Sequence, residues 1–202
     1  MPLFETAPLL LLACAVLGYL LGSIAFGLVF ARLFGLGDLR QIGSGNIGAT
    51  NVLRTGSKVA AALTLICDAG KAGFAVLIAR LLAGEDAAQI AGLAAFFGHC
   101  FPIWLKFQGG KGVATFIGLM LVLHWPAGLA TCATWLAVAT ITRYSSLSAL
   151  ISALLAPVWM AVLGYPSGVA LGIALAALIF WRHSENIARL RAGTESKIGK
   201  KG

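Results

Sequence analysis

Acidic side chains are scarce in this sequence, with seven Asp and Glu among 202 residues, and charged residues of both signs make up only 11%. A soluble domain of this size carries roughly a quarter of its residues as charges, so a fully hydrated surface is excluded. The four cysteines (Cys14, Cys67, Cys100 and Cys132) are scattered, with no C-x-x-C or Cys/His metal spacing. That excludes a disulfide framework or zinc module and leaves them as small apolar side chains. No Lys or Arg precedes Arg32, and Glu5 lies in that stretch, so the basic start of a signal peptide is missing. The run Leu9 to Phe34 is also too long for one, and reads as a first membrane span with its N-terminus outside. No internal repeat or low-complexity segment is visible.

What the chain has instead is apolar length: 59% of residues are hydrophobic and the mean hydropathy is +0.92. A bilayer core takes roughly 20 apolar residues per helix, so five to seven spans use most of the chain. The sequence therefore predicts an all-α integral membrane protein, a single membrane domain over residues 1–202. The apolar runs cover 9–34, 59–83, 87–105, 113–124, 126–142, 147–163 and 167–181, separated by polar or glycine-rich segments.

Residues 113–142 allow one long span or a hairpin broken at Trp125-Pro126. Charge decides between them, because cytoplasmic loops collect Lys and Arg. About seven helices, with the N-terminus outside, put Arg32, Arg40, Arg54, Lys58, Lys106, Lys111, Arg143 and the basic tail on the inner face. Only Lys71 and Arg80 fall elsewhere, and Glu5, Glu85 and Asp86 fall outside. A single long span would move Arg143 and the tail out. The seven-helix reading places the C-terminus in the cytoplasm, with the fourth and fifth helices short or tilted. It also accounts for the net charge of +8 through membrane topology, without nucleic acid as a partner.

Three polar stretches share that inner face. In loop 38–58, the nine residues Gly43 to Asn51 hold no charge but contain Ser44, Asn46, Thr50 and Asn51 among glycines, with Arg54 following. Glycines let backbone N–H groups turn toward an anion, and Arg54 supplies a planar fork for phosphate. In loop 106–112, Gly109-Gly110-Lys111-Gly112 precedes an apolar helix, setting a Lys and free N–H groups at a helix N-terminus. The G-x-x-x-x-G-K-[ST] pattern of a nucleotide loop fails there. In the tail, 182–202, a helix continued past the membrane would put His183 and Asn186 on one face, with Ile187 and Leu190 inward. Glu185 and Arg189 would pair on the exposed side.

Asp68 and Lys71 lie one turn apart within the second span. A lone charge there costs at least about 2.5–3.5 kcal/mol, so the two should pair or face a polar interior. Together the motifs make a basic, amide- and hydroxyl-rich pocket beside lipid, suited to a phosphorylated polar substrate and an apolar chain. A transporter for a phosphorylated solute would also need a basic pocket, but the sequence has no inverted repeat or mid-membrane pair of broken helices. A non-catalytic scaffold would leave the two glycine-rich loops without a purpose.

On Ser44–Asn51, on Gly98–Thr115 with its Gly-Gly-Lys-Gly-Val-Ala-Thr, and on His183-x-x-Asn186-Ile187 with Glu195 behind, the chain resembles the bacterial acyl-phosphate:glycerol-3-phosphate acyltransferases. The Asp68-x-x-Lys71 pair and Ser146-Leu147 fit the same pattern, and the likeness runs from about residue 10 to 197. It implies acyl transfer from a fatty acyl phosphate to the 1-hydroxyl of sn-glycerol 3-phosphate, giving lysophosphatidic acid and phosphate. This is the first step of phospholipid synthesis at the bacterial inner membrane. It implies no cofactor, since an acyl phosphate is already activated, and a functional link to the soluble enzyme that makes that donor. By the same match, Ser44, His183 and Asn186 are the catalytic candidates. Asn46, Thr50, Asn51, Arg54, Gly109, Gly110, Lys111, Gly112 and Ser146 would bind substrate, while Asp68, Lys71 and Glu195 would be structural. No carboxylate stands next to His183 in the sequence and no base next to Ser44, so the expectation is direct attack, oriented by His183, with no acyl-enzyme.

Overall fold

The computed structural model describes residues 2–199. Among these the chain is helical throughout, with ten α-helices, three short 3-10 turns and no strand. They are α1 (Pro8–Gly22), α2 (Phe26–Leu33), α3 (Ala49–Arg54), α4 (Lys58–Ala83), α5 (Glu85–Cys100), α6 (Val113–Leu123), α7 (Trp125–Thr142), α8 (Ser145–Val162), α9 (Val169–Arg182) and α10 (Ser184–Arg191). Among the described residues four segments are long and apolar enough to cross a bilayer: Pro8–Leu33, Lys58–Ala83, Glu85–Leu105 and Ser145–Val162. A fifth arises if Pro166–Arg182 and Ser184–Arg191, bent by 63°, count as one span. At 11 residues, α6 is only about 16 Å long, half a bilayer core.

The run 9–34 is not one straight helix, since it breaks at Ser23–Ala25 between α1 and α2. The break is held by side chains: Trp104 Nε1 donates to Ser23 Oγ at 2.7 Å, and Lys71 Nζ to the Ile24 carbonyl at 2.7 Å. Backbone groups at membrane depth must find such partners inside the protein.

Residues 113–142 form the hairpin. His124 is extended (φ −152°) between α6 and α7. A Cβ built on Gly128 would lie 2.5 Å from Leu121 Cα, whereas seven residues of continuous helix span about 10 Å. Arg80 donates to the carbonyls of Val122 and Leu123 at 2.7 and 2.9 Å, satisfying the last turn of α6.

Lipid gives helices little hydrophobic drive to associate, so membrane helices rely on small residues that let backbones meet. Here Gly18 and Gly22 of α1 lie directly on Ala91 and Ala95 of α5, and a Cβ on Gly22 would stand 2.0 Å from the Ala95 carbonyl oxygen. In the same way Gly118 of α6 meets Ala69 of α4, with 2.1 Å left for a Cβ. Around these contacts Phe96, Phe116, Leu119, Met120, Met160, Leu175 and Ile179 fill the interior. At one end of the bundle Asp86 accepts from the Glu5 and Thr6 amides and the Thr6 hydroxyl. The glycine-rich loops and α10 gather at the other.

Candidate active site

The loop after α2 is not featureless. It holds a 3-10 turn, Leu39–Gln41, and the short helix α3. Asn51, almost wholly buried, organises it: Nδ2 donates to the Leu39 carbonyl at 2.8 Å, while Oδ1 accepts from Ser44 N at 3.2 Å and Arg54 NH1 at 3.3 Å. Gly43, at φ +53°, faces that cluster; a Cβ there would strike Arg54 Cδ at 2.6 Å. The Ser44 hydroxyl has an amide oxygen of Asn51 at 3.5 Å, which cannot act as a general base.

The second loop folds back onto the end of α5. Gly109 N and Gly110 N donate to the Cys100 and His99 carbonyls, each at 3.1 Å. Arg182 fastens the outer side, donating to the carbonyls of Gly110 and Gly109 at 3.2 and 3.1 Å while stacking on Phe101. Gly112 takes φ +80° as the N-cap of α6, so Lys111 sits beside the unpaired amides of that helix.

The expected continuous last helix is replaced by a bend at His183, between α9 and α10. His183 Nδ1 lies 2.8 Å from the Ile179 carbonyl; since a carbonyl can only accept, Nδ1 carries the proton and Nε2 is left with its lone pair. Burial pushes the His183 imidazole down to about 4, outweighing the bond to Ile179. His183 and Asn186 are both buried despite the bend, while Ile187 and Leu190 are only half-buried. Arg189 reaches Glu185 at 3.8 Å, but its closer partner is Glu195, at 2.7 Å.

Glu195 joins the motifs. One carboxylate oxygen accepts from Ser146 Oγ at 2.8 Å and Asn186 Nδ2 at 2.6 Å; the other accepts from Arg189 Nε. Asn186 Oδ1 in turn accepts from Lys111 Nζ. The next residue, Ser196, accepts from Arg54 NH2 at 2.6 Å. Hydrogen bonds therefore run from Lys111 through Asn186 and Glu195 to Ser146, and from the adjoining Ser196 through Arg54 and Asn51 to Ser44. Burial alone would raise the Glu195 carboxyl, but its bonds from Asn186, Arg189 and Ser146 hold it below the usual range. Burial, then the nearby Arg189, lowers the Lys111 ammonium.

Thr50 stands outside this chain, 3.3 Å from Ser145 Oγ, and Asn46 lies against Gly48. Asp68 and Lys71 pair at 2.7 Å deep in α4, away from Glu195.

A profile of the glycerol-3-phosphate acyltransferases matches residues 12–193. The chain is 65% identical to a glycerol-3-phosphate acyltransferase of Ruegeria sp. (strain TM1040), covering all of both chains, and 62% identical to one of Jannaschia sp. (strain CCS1), covering 98% of each. The chain belongs to the glycerol-3-phosphate acyltransferase family. Its fold is similar to the crystal structure of PlsY (YgiH), an integral membrane glycerol 3-phosphate acyltransferase, in the glycerol 3-phosphate form. That match has a TM-score of 0.88 at 40% identity, over 94% of this chain and 96% of that one. The lysophosphatidic acid form of the same protein gives 0.87 at 38% identity, over 94% and 95%. The chain is thus an enzyme, a membrane acyltransferase.

Three side chains of this acyltransferase escape the sequence-based candidates: Arg182, Arg189 and Ser196. Arg182 opens the stretch that holds His183 and Asn186, so proximity was a signal. Ser196 was not legible, because nothing local joins it to Arg54, 142 residues earlier.

Proposed function

We propose that this enzyme transfers a fatty acyl group from an acyl phosphate to the 1-hydroxyl of sn-glycerol 3-phosphate, releasing lysophosphatidic acid and inorganic phosphate. The observation that carries the reading is the hydrogen-bonded chain from Lys111 through Asn186 and Glu195, with Ser196, to Arg54 and Ser44, which unites cations, amides and hydroxyls from three loops. Two phosphates must be held and one hydroxyl aimed at an acyl carbon, a task of positioning and charge stabilisation. Arg54 and Lys111 serve the phosphate charges, and Gly109, Gly110 and Gly112 let the backbone approach. Ser44, Asn46, Thr50 and Asn186 orient substrate, while the buried Asn51 and Ser146 act through the neighbours they hold, Ser44 and Arg54 for the one and Glu195 for the other.

The glycerol oxygen attacks the acyl carbon; the new C–O bond forms as the bond to phosphate breaks, and the hydroxyl proton leaves with a phosphate oxygen. His183, neutral and with Nε2 free to accept, orients that hydroxyl. Ser44, lacking a base, forms no acyl-enzyme. The chain crosses the bacterial inner membrane seven times with α6 and α7 as short spans, its N-terminus outside and its site facing the cytoplasm. There it meets donor made by a soluble acyl-phosphate-forming enzyme.

Purified protein in lipid mesophase, given palmitoyl phosphate and glycerol 3-phosphate, should release phosphate and form lysophosphatidate only with both substrates. Ser44→Ala and Lys111→Ala should lower kcat/KM at least roughly 100-fold, as loss of a donor aimed at developing charge does. Well-folded wild-type protein inert with this donor, yet active with palmitoyl-CoA, would overturn the donor assignment.

A further inference from the structure

The Lys71 ammonium is more elaborately held than an ion pair in a membrane span requires. Its three N–H groups have three partners: Asp68 Oδ1 at 2.7 Å, the Ile24 carbonyl at 2.7 Å and His99 Nδ1 at 2.9 Å. The Lys71, Asp68 and His99 side chains are all buried. A charged ammonium can only donate, so Nδ1 of His99 accepts and the ring carries its proton on Nε2. With Asp68 Oδ1 also 3.6 Å from Nδ1, the ring can neither flip nor slide without stripping Lys71 of a partner.

The other edge of that ring supports the glycine loop. A Cβ on Gly110 would stand 2.2 Å from His99 Nε2, and one on Gly109 2.1 Å from the His99 carbonyl oxygen. The same carbonyl accepts from Gly110 N at 3.1 Å. Arg182 donates to both carbonyls of the loop. The loop before Lys111 is thus held by Arg182 and rests on a ring whose place is set from inside the membrane.

We propose that His99 is a positioning residue for glycerol 3-phosphate: the Asp68–Lys71 pair fixes its ring, and the ring sets the position of Gly109 and Gly110, the backbone that approaches that substrate. This rests on the acyltransferase reading of that loop. A misplacement of about 1 Å in a positioning element can cost roughly 100-fold, and a loop of glycines has no stiffness of its own.

Four proteins test it beside wild type: His99→Phe, His99→Asn, Gly110→Ala and the double variant His99→Asn/Gly110→Ala. Phe keeps the ring volume under Gly110 but removes the acceptor for Lys71. Asn keeps an acceptor near the Nδ1 position but withdraws the edge that touches Gly110. Each single variant should raise KM for glycerol 3-phosphate roughly ten-fold or more, with KM for acyl phosphate within two-fold (~2) of wild type. Because Asn leaves room for the new methyl, the double variant should bind glycerol 3-phosphate several-fold better than Gly110→Ala alone.

Folded variants whose KM for glycerol 3-phosphate stays within two-fold (~2) of wild type would overturn the proposal. So would a loss of thermal stability and active fraction without a change in KM, or an additive double variant. Should wild type bind glycerol 3-phosphate by calorimetry yet show no turnover, the acyltransferase reading fails while the same cycle, read as Kd, still decides the positioning role. If wild type neither binds nor turns over, both fall.

Discussion

A histidine placed as His183 is, buried at a helix bend with its Nδ1–H committed to a carbonyl, stays neutral well below the pH where an exposed imidazole takes up a proton. Its folded value of about 4 lies under the ordinary 6.5, so between those values the unfolded chain binds more protons and stability falls as pH drops. The His183 ring, followed by NMR with His183→Asn to assign its signal, should titrate near 4; a midpoint near 6.5 would sink this assignment. Arg54 depends on shape as well as charge, since NH1 serves Asn51 and NH2 serves Ser196. Lysine keeps the charge but not the fork, so Arg54→Lys should lower kcat/KM by roughly 10–100-fold. A variant as active as wild type would show that charge alone suffices.

Elements meet here through small residues, and the cost of enlarging one depends on what it faces. Gly22→Leu would drive a side chain into the Ala95 backbone of α5 and should cost about 1–3 kcal/mol or more, as overpacking does. Gly35 has open space around it but stands at φ +63°, so Gly35→Ala should cost only about 1–2 kcal/mol of backbone strain. Thermal unfolding in detergent should rank them so, and the reverse order would refute the close α1–α5 contact. The segment after α10 is tied down by Glu195, by Ser196 and by Ile198, whose N–H donates to the Arg143 carbonyl at 2.7 Å. Glu195→Gln should weaken this by about 1–3 kcal/mol and expose residues 192–199 to protease. In wild type the same release should appear as pH falls through the lowered folded value of Glu195, because its charged form holds the bonds.

At the scale of the whole molecule, the positive-inside arrangement predicts that a fluorescent protein fused after Gly202 folds in the cytoplasm, while an alkaline phosphatase fused there stays inactive. The opposite pair of results would invert the topology and put the site on the outer face. Much of the architecture was legible in advance. Apolar runs long enough for a bilayer became α1 with α2, α4, α5 and α8, and Trp125-Pro126 marked the turn between α6 and α7, because hydrophobic length and proline act locally. The break at Ser23–Ala25 was not legible, since its partners, Trp104 and Lys71, lie far along the chain. Nor was the bend at His183, where a helical pattern continues unbroken.

The sequence alone determined that this chain lives in a bilayer as helices, and its three polar motifs identified the family, because composition and short motifs are carried by neighbouring residues. Only the tertiary structure decided how those motifs meet: Glu195 between Ser146, Asn186 and Arg189, Ser196 on Arg54, and Lys71 extended to His99. Each of those bonds except Asn186 and Arg189 to Glu195 joins residues dozens of positions apart. Such pairs are set by which helices pack together, and no local pattern encodes them.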